Sequence, residues 1–156
     1  MNTHTLKHGG AVLKFFHLVI CLLLTLFSYE IGAQQVDTYV IAHPAVTQAS
    51  VSERQLRRIF MLKQRTWDSG EPISLIVFSS DNNKHSQFLK QTLKLFPYQL
   101  EREWNKLIYS GQSAPPMIAT STQNMLKLVS NTPGAIGYIV SSAPDQAVKI
   151  IEVTNE

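Results

Sequence analysis

The chain has 156 residues, 44% hydrophobic and 16% charged, with 14 Lys and Arg, 11 Asp and Glu, and a single cysteine. This composition is globular; it excludes a collagenous or disordered chain and a disulfide scaffold, and the length suits one domain. The formal charge of +3 is spread without a run of Lys and Arg, which argues against a nucleic-acid binder.

Residues 1–33 read as a secretory signal. Lys7, His8 and Lys14 make a positive start, and Phe15 to Phe27 is an apolar run of 13 residues broken by His17 and Thr25. A membrane span needs about 20 apolar residues, so the run is short for one. The expected cut follows Ala33, with the bulky Ile31 two residues before it. Cys21 lies inside the apolar run, so the mature chain is expected to hold no cysteine. Removing Lys7, Lys14 and Glu30 with the signal takes the formal charge to +2. The 123 residues that remain suffice for one core, and are too few for two full lobes.

Val36 to His43 is rich in β-branched and aromatic residues and predicts a strand that Pro44 stops. Ser52 with Gln55 forms a capping-box pattern, flanked by Val51 and Leu56 as a hydrophobic staple. Leu56, Ile59 and Phe60 then recur at helical spacing, predicting a helix over Glu53 to Leu62. Trp67 to Gly70 is turn chemistry. The apolar run Ile73 to Phe78 predicts a strand buried on both faces, as in a parallel sheet. Ser79 to Asn83 is a polar loop. Phe88, Leu89, Thr92, Leu93 and Phe96 predict a helix from about Lys84 to Leu95. Pro97 opens another, with Leu100, Trp104, Leu107 and Ile108 on its apolar face.

Ser110 to Pro116 reads as a loop and Met117 to Thr120 as a short strand. Met125, Leu126 and Val129 predict a helix over Thr122 to Ser130. Ala135 to Val140 and Val148 to Val153 read as strands joined by a turn at Pro144 and Asp145. Alternating strands and helices predict one three-layer α/β domain over residues 34–156, with a mostly parallel sheet of about five strands.

Oxyanion binding has the strongest chemical case. A strand running into a Ser/Asn-rich loop that opens a helix presents unpaired N–H groups and a positive dipole end. Ser79, Ser80, Asn82, Asn83 and Lys84 supply hydroxyl, amide and cationic donors there. The competing reading is a helix cap, from Ser80, Asp81 or Asn83, beside solvated neighbours. Gly134 and Gly137 read as a left-handed turn and a close-packed strand position. Trp67 and Trp104 can be core residues or binding platforms, and the core is the commoner use. Arg54, Arg57, Arg58, Lys63 and Arg65 make a basic stretch, read as a solvated face rather than an anionic partner surface. His43 and His85, the two histidines of the mature chain, are far apart, so no metal motif is present and no cofactor is implied. Ser79, Asp81 and His85 crowd within seven residues, unlike a catalytic triad assembled from separate parts of a fold, so no catalysis is expected.

Three stretches together resemble the phosphate-binding type of periplasmic solute-binding protein from ABC importers. They are Val51 to Phe60 continuing through Trp67-Asp68-Ser69-Gly70-Glu71-Pro72-Ile73, the strand and loop Ile73 to Phe88, and Thr132-Pro133-Gly134-Ala135-Ile136-Gly137-Tyr138. The last is close to the P-G-x-I-G-Y of that family. The resemblance implies a type II periplasmic-binding-protein-like fold that closes two lobes on an oxyanion, and this chain has the length of one lobe. It departs from the family's Arg-Ser-Asp-Gly-Ser-Gly-Thr-like loop: Phe78 stands at the arginine position, and Ser79 alone matches by identity. Lys84 can restore the charge, without arginine's bidentate fork. An anion bound to one lobe stays wet and its hydrogen bonds are correspondingly weaker. The expected function is therefore weak binding of phosphate or another small oxyanion by a periplasmic module. The alternative is an interaction module that lost the ligand and contacts a membrane or envelope protein, or pairs as a homodimer.

Overall fold

In a computed structural model of the chain, the structure describes residues 37–141 and 147–155. The expected signal segment, its cut site and the turn at Pro144 and Asp145 lie outside them.

Six strands form one sheet: β1 (Asp37–Ala42), β2 (Ser50–Ser52), β3 (Ser74–Phe78), β4 (Met117–Ala119), β5 (Ala135–Ser141) and β6 (Lys149–Thr154). Their spatial order is β2-β6-β1-β5-β3-β4. β1 runs antiparallel to both its neighbours, with Val40 opposite Tyr138 on one side and Ile151 on the other. The pairs β2 with β6, β3 with β4 and β3 with β5 are parallel, so five strands share one direction and β1 opposes them. The sheet is thus mostly parallel, as expected. Its sixth strand, β2, goes beyond the expected five: three residues carry no period, and the local signal there is the helix cap. Ser52 serves both elements, ending β2 opposite Thr154 while its Oγ accepts the Gln55 N–H at 3.2 Å. The reciprocal half of the box is replaced by tertiary bonds. The Gln55 side-chain oxygen accepts from Gln48, and its amide donates to Asp68.

Among the described residues there are four α-helices: α1 (Glu53–Phe60), α2 (Asn83–Phe88), α3 (Pro97–Tyr109) and α4 (Thr122–Asn131). The expected helix from Lys84 to Leu95 is α2 followed by a wider π turn over Leu89–Leu93, stopped by Lys94 in left-handed geometry at φ 53°. That insertion keeps Leu89 and Leu93 fully buried. Pro97 opens α3 as expected, with the Gln99 side chain accepting the Phe96 N–H at 3.0 Å.

Adjacent residues of β5 assign the layers, because successive side chains of a strand point to opposite faces. A Cβ on Gly137 would stand 2.7 Å from Met125 Sδ and 3.2 Å from Val129 Cγ2, so α4 covers that face without room for a side chain. Tyr138 points the other way, stacked on Phe88 of α2 at 3.8 Å and tilted against Phe60 of α1 at 5.9 Å. The result is three layers. Gly134, at φ +67°, lies where a Cβ would come within 2.1 Å of the Pro72 carbonyl oxygen. Its own carbonyl accepts from Ser74 N at 3.2 Å and Trp67 Nε1 at 2.9 Å. Both tryptophans are structural: Trp67 is buried, and Trp104 Nε1 donates to the Phe60 carbonyl at 2.7 Å.

Candidate functional site

β3 is followed by α2 on one face of the sheet, and β4 is followed by α4 on the other. Two adjacent parallel strands whose helices leave to opposite faces open a crevice at their C-terminal ends, where open α/β sheets bind ligands. By that rule the expected crevice lies beyond Phe78 and Ala119, which are paired neighbours. Both helix starts border it, each with early amides that have no intrahelical acceptor and with the positive end of the helix dipole.

The loop Ser79–Asn82 forms one wall. Asn82 N donates to the Ser79 carbonyl at 3.0 Å, closing a turn that leaves Ser79, Ser80 and Asp81 exposed. Asn82, and not Ser80, Asp81 or Asn83, caps α2: its Oδ1 accepts the Lys84 N–H at 2.9 Å. Ser80 and Asp81 sit in the turn ahead of the cap, while Asn83 is already the first helical residue and solvent-exposed. The cap and the candidate donors therefore share one segment. The opposite wall is Thr120-Ser121-Thr122. Ser121 Oγ accepts the Asn124 N–H at 3.1 Å and keeps its own proton to donate.

Lys84 joins the two walls. Its Nζ donates to Thr122 Oγ1 at 2.7 Å and lies 5.9 Å from the centroid of the Phe78 ring. An ammonium over an aromatic face is held by the ring quadrupole. The residue at the arginine position of the resemblance thus seats the lysine that supplies the charge. The structure brings Lys84 together with Thr122, a residue that sequence reasoning placed only as the start of a helix. The available signal was the repeated pattern: Thr120 to Thr122 is, like Ser79 to Asn83, a hydroxyl- or amide-rich link from a strand into a helix.

Beneath the crevice, His85 is buried at 1% exposure. Its Nδ1 lies 2.6 Å from the Tyr138 hydroxyl, whose oxygen accepts the Phe78 N–H at 3.2 Å. The Tyr138 hydroxyl is used in both senses when it donates to Nδ1 of a neutral imidazole and accepts from Phe78 N–H. Burial pushes the His85 pKa below its ordinary value, with the Glu101 carboxylate working the other way. Burial also pushes the Tyr138 hydroxyl up. His85 is therefore paired with Tyr138 rather than Ser79, and the crowded Ser, Asp and His set makes no triad. His43 Nδ1 accepts the Ala45 N–H at 3.1 Å. Among the described residues, no group of three His, Cys, Asp or Glu side chains is placed to hold a metal. Also among them, no helix is long and apolar enough to cross a membrane.

The basic stretch is dispersed. Arg57 donates to the Leu93 carbonyl, Lys63 pairs with Glu103 at 3.1 Å, and Arg65 donates to the Gln112 carbonyl.

No family model matches the sequence, and no curated protein matches it. Solved structures do match the fold. An ABC-type phosphate transport receptor from Vibrio cholerae aligns with a TM-score of 0.59 at 16% identity, over 76% of this chain and 46% of its own. A putative phosphate ABC transporter substrate-binding protein from Clostridium perfringens, solved with bound phosphate, aligns at 0.61 and 19% identity, over 76% and 45%. PstS from Borrelia burgdorferi aligns at 0.58 and 17% identity, over 76% and 47%. The chain has the fold of these solute-binding proteins and spans about half of their length.

Proposed function

We propose that the protein is a periplasmic solute-binding module, exported by a signal over residues 1–33, that takes phosphate or a similar small oxyanion in the crevice between β3 and β4. The observation that carries this reading is the Lys84–Thr122 bridge, which sets a cation between two helix starts at the switch point of the sheet. Ser79, Ser80, Asn82, Asn83 and Lys84 would contact the anion from one wall, and Ser121 and Thr122 from the other. The Clostridium perfringens relative of this fold holds phosphate, which supports the ligand class. The anion would stay partly hydrated against a single lobe, so binding is weak and no bond chemistry follows.

Thermal melting against phosphate, sulfate, molybdate, phosphonates and carboxylates at matched ionic strength tests the reading. A ligand at 100 times its Kd stabilises by about 2.7 kcal/mol, a shift of several degrees at this size. The expected result is a selective shift for a tetrahedral oxyanion that Lys84→Met removes. A cooperative melt with no shift from any anion would reject it. It would favour a module docking on a membrane or envelope protein, a reading supported by the exposure of Tyr98 (64%) and Tyr109 (87%) on α3.

A further inference from the structure

The opposite end of the same two strands carries a second concavity of about 480 Å³, within the size range of small-molecule sites. It lies where β3 begins, beneath the Gly111–Pro116 segment that leads into β4. Its walls include Ile59, Leu62, Ile73, Pro116 and Met117. Pro115 and Pro116 bring no N–H to that wall, and an apolar chain can lie against it without leaving a donor unpaired. The charged residue of the lining is Arg65, with no acidic side chain among the others.

Arg65 is tied at its side chain and at its backbone. Its Nη1 donates to the Gln112 carbonyl, and its own carbonyl accepts the Ile73 N–H at 2.8 Å. A guanidinium has five donors in a planar fork, so one bond to Gln112 leaves geometry suited to a carboxylate. We propose that this groove binds a small amphiphilic carboxylate, its aliphatic tail along Leu62, Ile73 and Met117 and its head on Arg65. An extended peptide fits less well: β4 is an edge strand of three residues, and the two prolines before it remove donors a pairing strand would need. The inference is independent of the oxyanion reading, whose residues lie at the other end of the strands.

Calorimetric titration of the purified protein with octanoate, octylamine and acetate, with amide NMR shifts recorded alongside, tests it. Octanoate should bind at least tenfold tighter than octylamine, which has the same tail and the opposite charge. It should also bind at least tenfold tighter than acetate, which lacks the tail. The shifts should fall on Ile73 and Gly111 to Ser113 and spare Ser79 to Lys84. Arg65→Met should abolish the preference for octanoate over octylamine. Met117→Glu, at a position 36% exposed, should weaken octanoate by at least tenfold with the native spectrum retained. Equal binding of octanoate and octylamine, shifts centred elsewhere, an unchanged preference in Arg65→Met, or no saturable binding would each overturn the proposal.

Discussion

The two ends of β3 and β4 are built from opposite materials. At the C-terminal end two helix starts, hydroxyl and amide loops and Lys84 surround a polar crevice supported by the His85–Tyr138 pair. At the N-terminal end proline and aliphatic side chains line a groove together with Gln64, Ser74, Gln112, Ser113 and one arginine. The difference follows from strand direction. Parallel strands deliver all their outgoing loops, and the amides of the following helices, to one end; the incoming loops at the other end carry helix C-termini and turns. Helix-start amides therefore gather at one end, while side chains and loop carbonyls line the other.

The largest expected effect tests whether the groove end is the rigid one. Gly134→Ala would force a Cβ to within 2.1 Å of the Pro72 carbonyl in left-handed geometry. It should cost about 3 kcal/mol or more and lower Tm by roughly 10 °C. A variant melting within two or three degrees of the parent would show that the Trp67–Gly134–Ser74 junction yields easily.

Removing one oxygen under the crevice should do less. Tyr138→Phe strips the acceptor from Phe78 N and the donor from His85 Nδ1. The expected cost is about 1–3 kcal/mol by urea unfolding. A loss larger than that of Gly134→Ala would reverse the ranking of the two ends.

Acid should weaken the crevice end selectively. His85 has its folded pKa below the ordinary 6.5, so between the two values the unfolded chain binds more protons. Stability contributed by the neutral imidazole is complete above pH 6.5 and is lost as pH falls from there through the lowered value. His85→Asn keeps an acceptor for the Tyr138 hydroxyl and should flatten the stability difference between pH 7.5 and 5.5. An equal difference in both proteins would assign the acid sensitivity to other groups.

The smallest effect serves as the reference. The Lys63–Glu103 pair joins an exposed lysine to a half-buried glutamate at the surface. Glu103→Gln should change stability by less than about 0.5 kcal/mol and leave anion or carboxylate titrations unaltered.

Much of this architecture is legible in the chain. Ile73 to Phe78 is apolar except at Ser74 because β3 is covered on both faces. Ala135 to Tyr138 shows Gly137 and Tyr138 side by side because one face has no room and the other needs an aromatic. The Ser79 to Lys84 segment is legible as a strand-to-helix link with donors. Less legible was which residue caps: Ser80, Asp81, Asn82 and Asn83 are all competent, and the turn closed by Asn82 N and the Ser79 carbonyl selects Asn82. The strand β2 had no periodic signal at all, since its definition is its partner, β6.

Local sequence determined most of the elements, the segments that cap them and the left-handed glycine, because these depend on side-chain periodicity, hydrogen-bonding chemistry and steric freedom within a few residues. Tertiary structure alone decided that Lys84 meets Thr122, 38 residues on, and that Tyr138 reaches both His85 and Phe78. It also placed Arg65 across from Gln112. Those contacts depend on strand order and on which face each helix takes, and a polar side chain carries no signal of its distant partner until the sheet brings the two together.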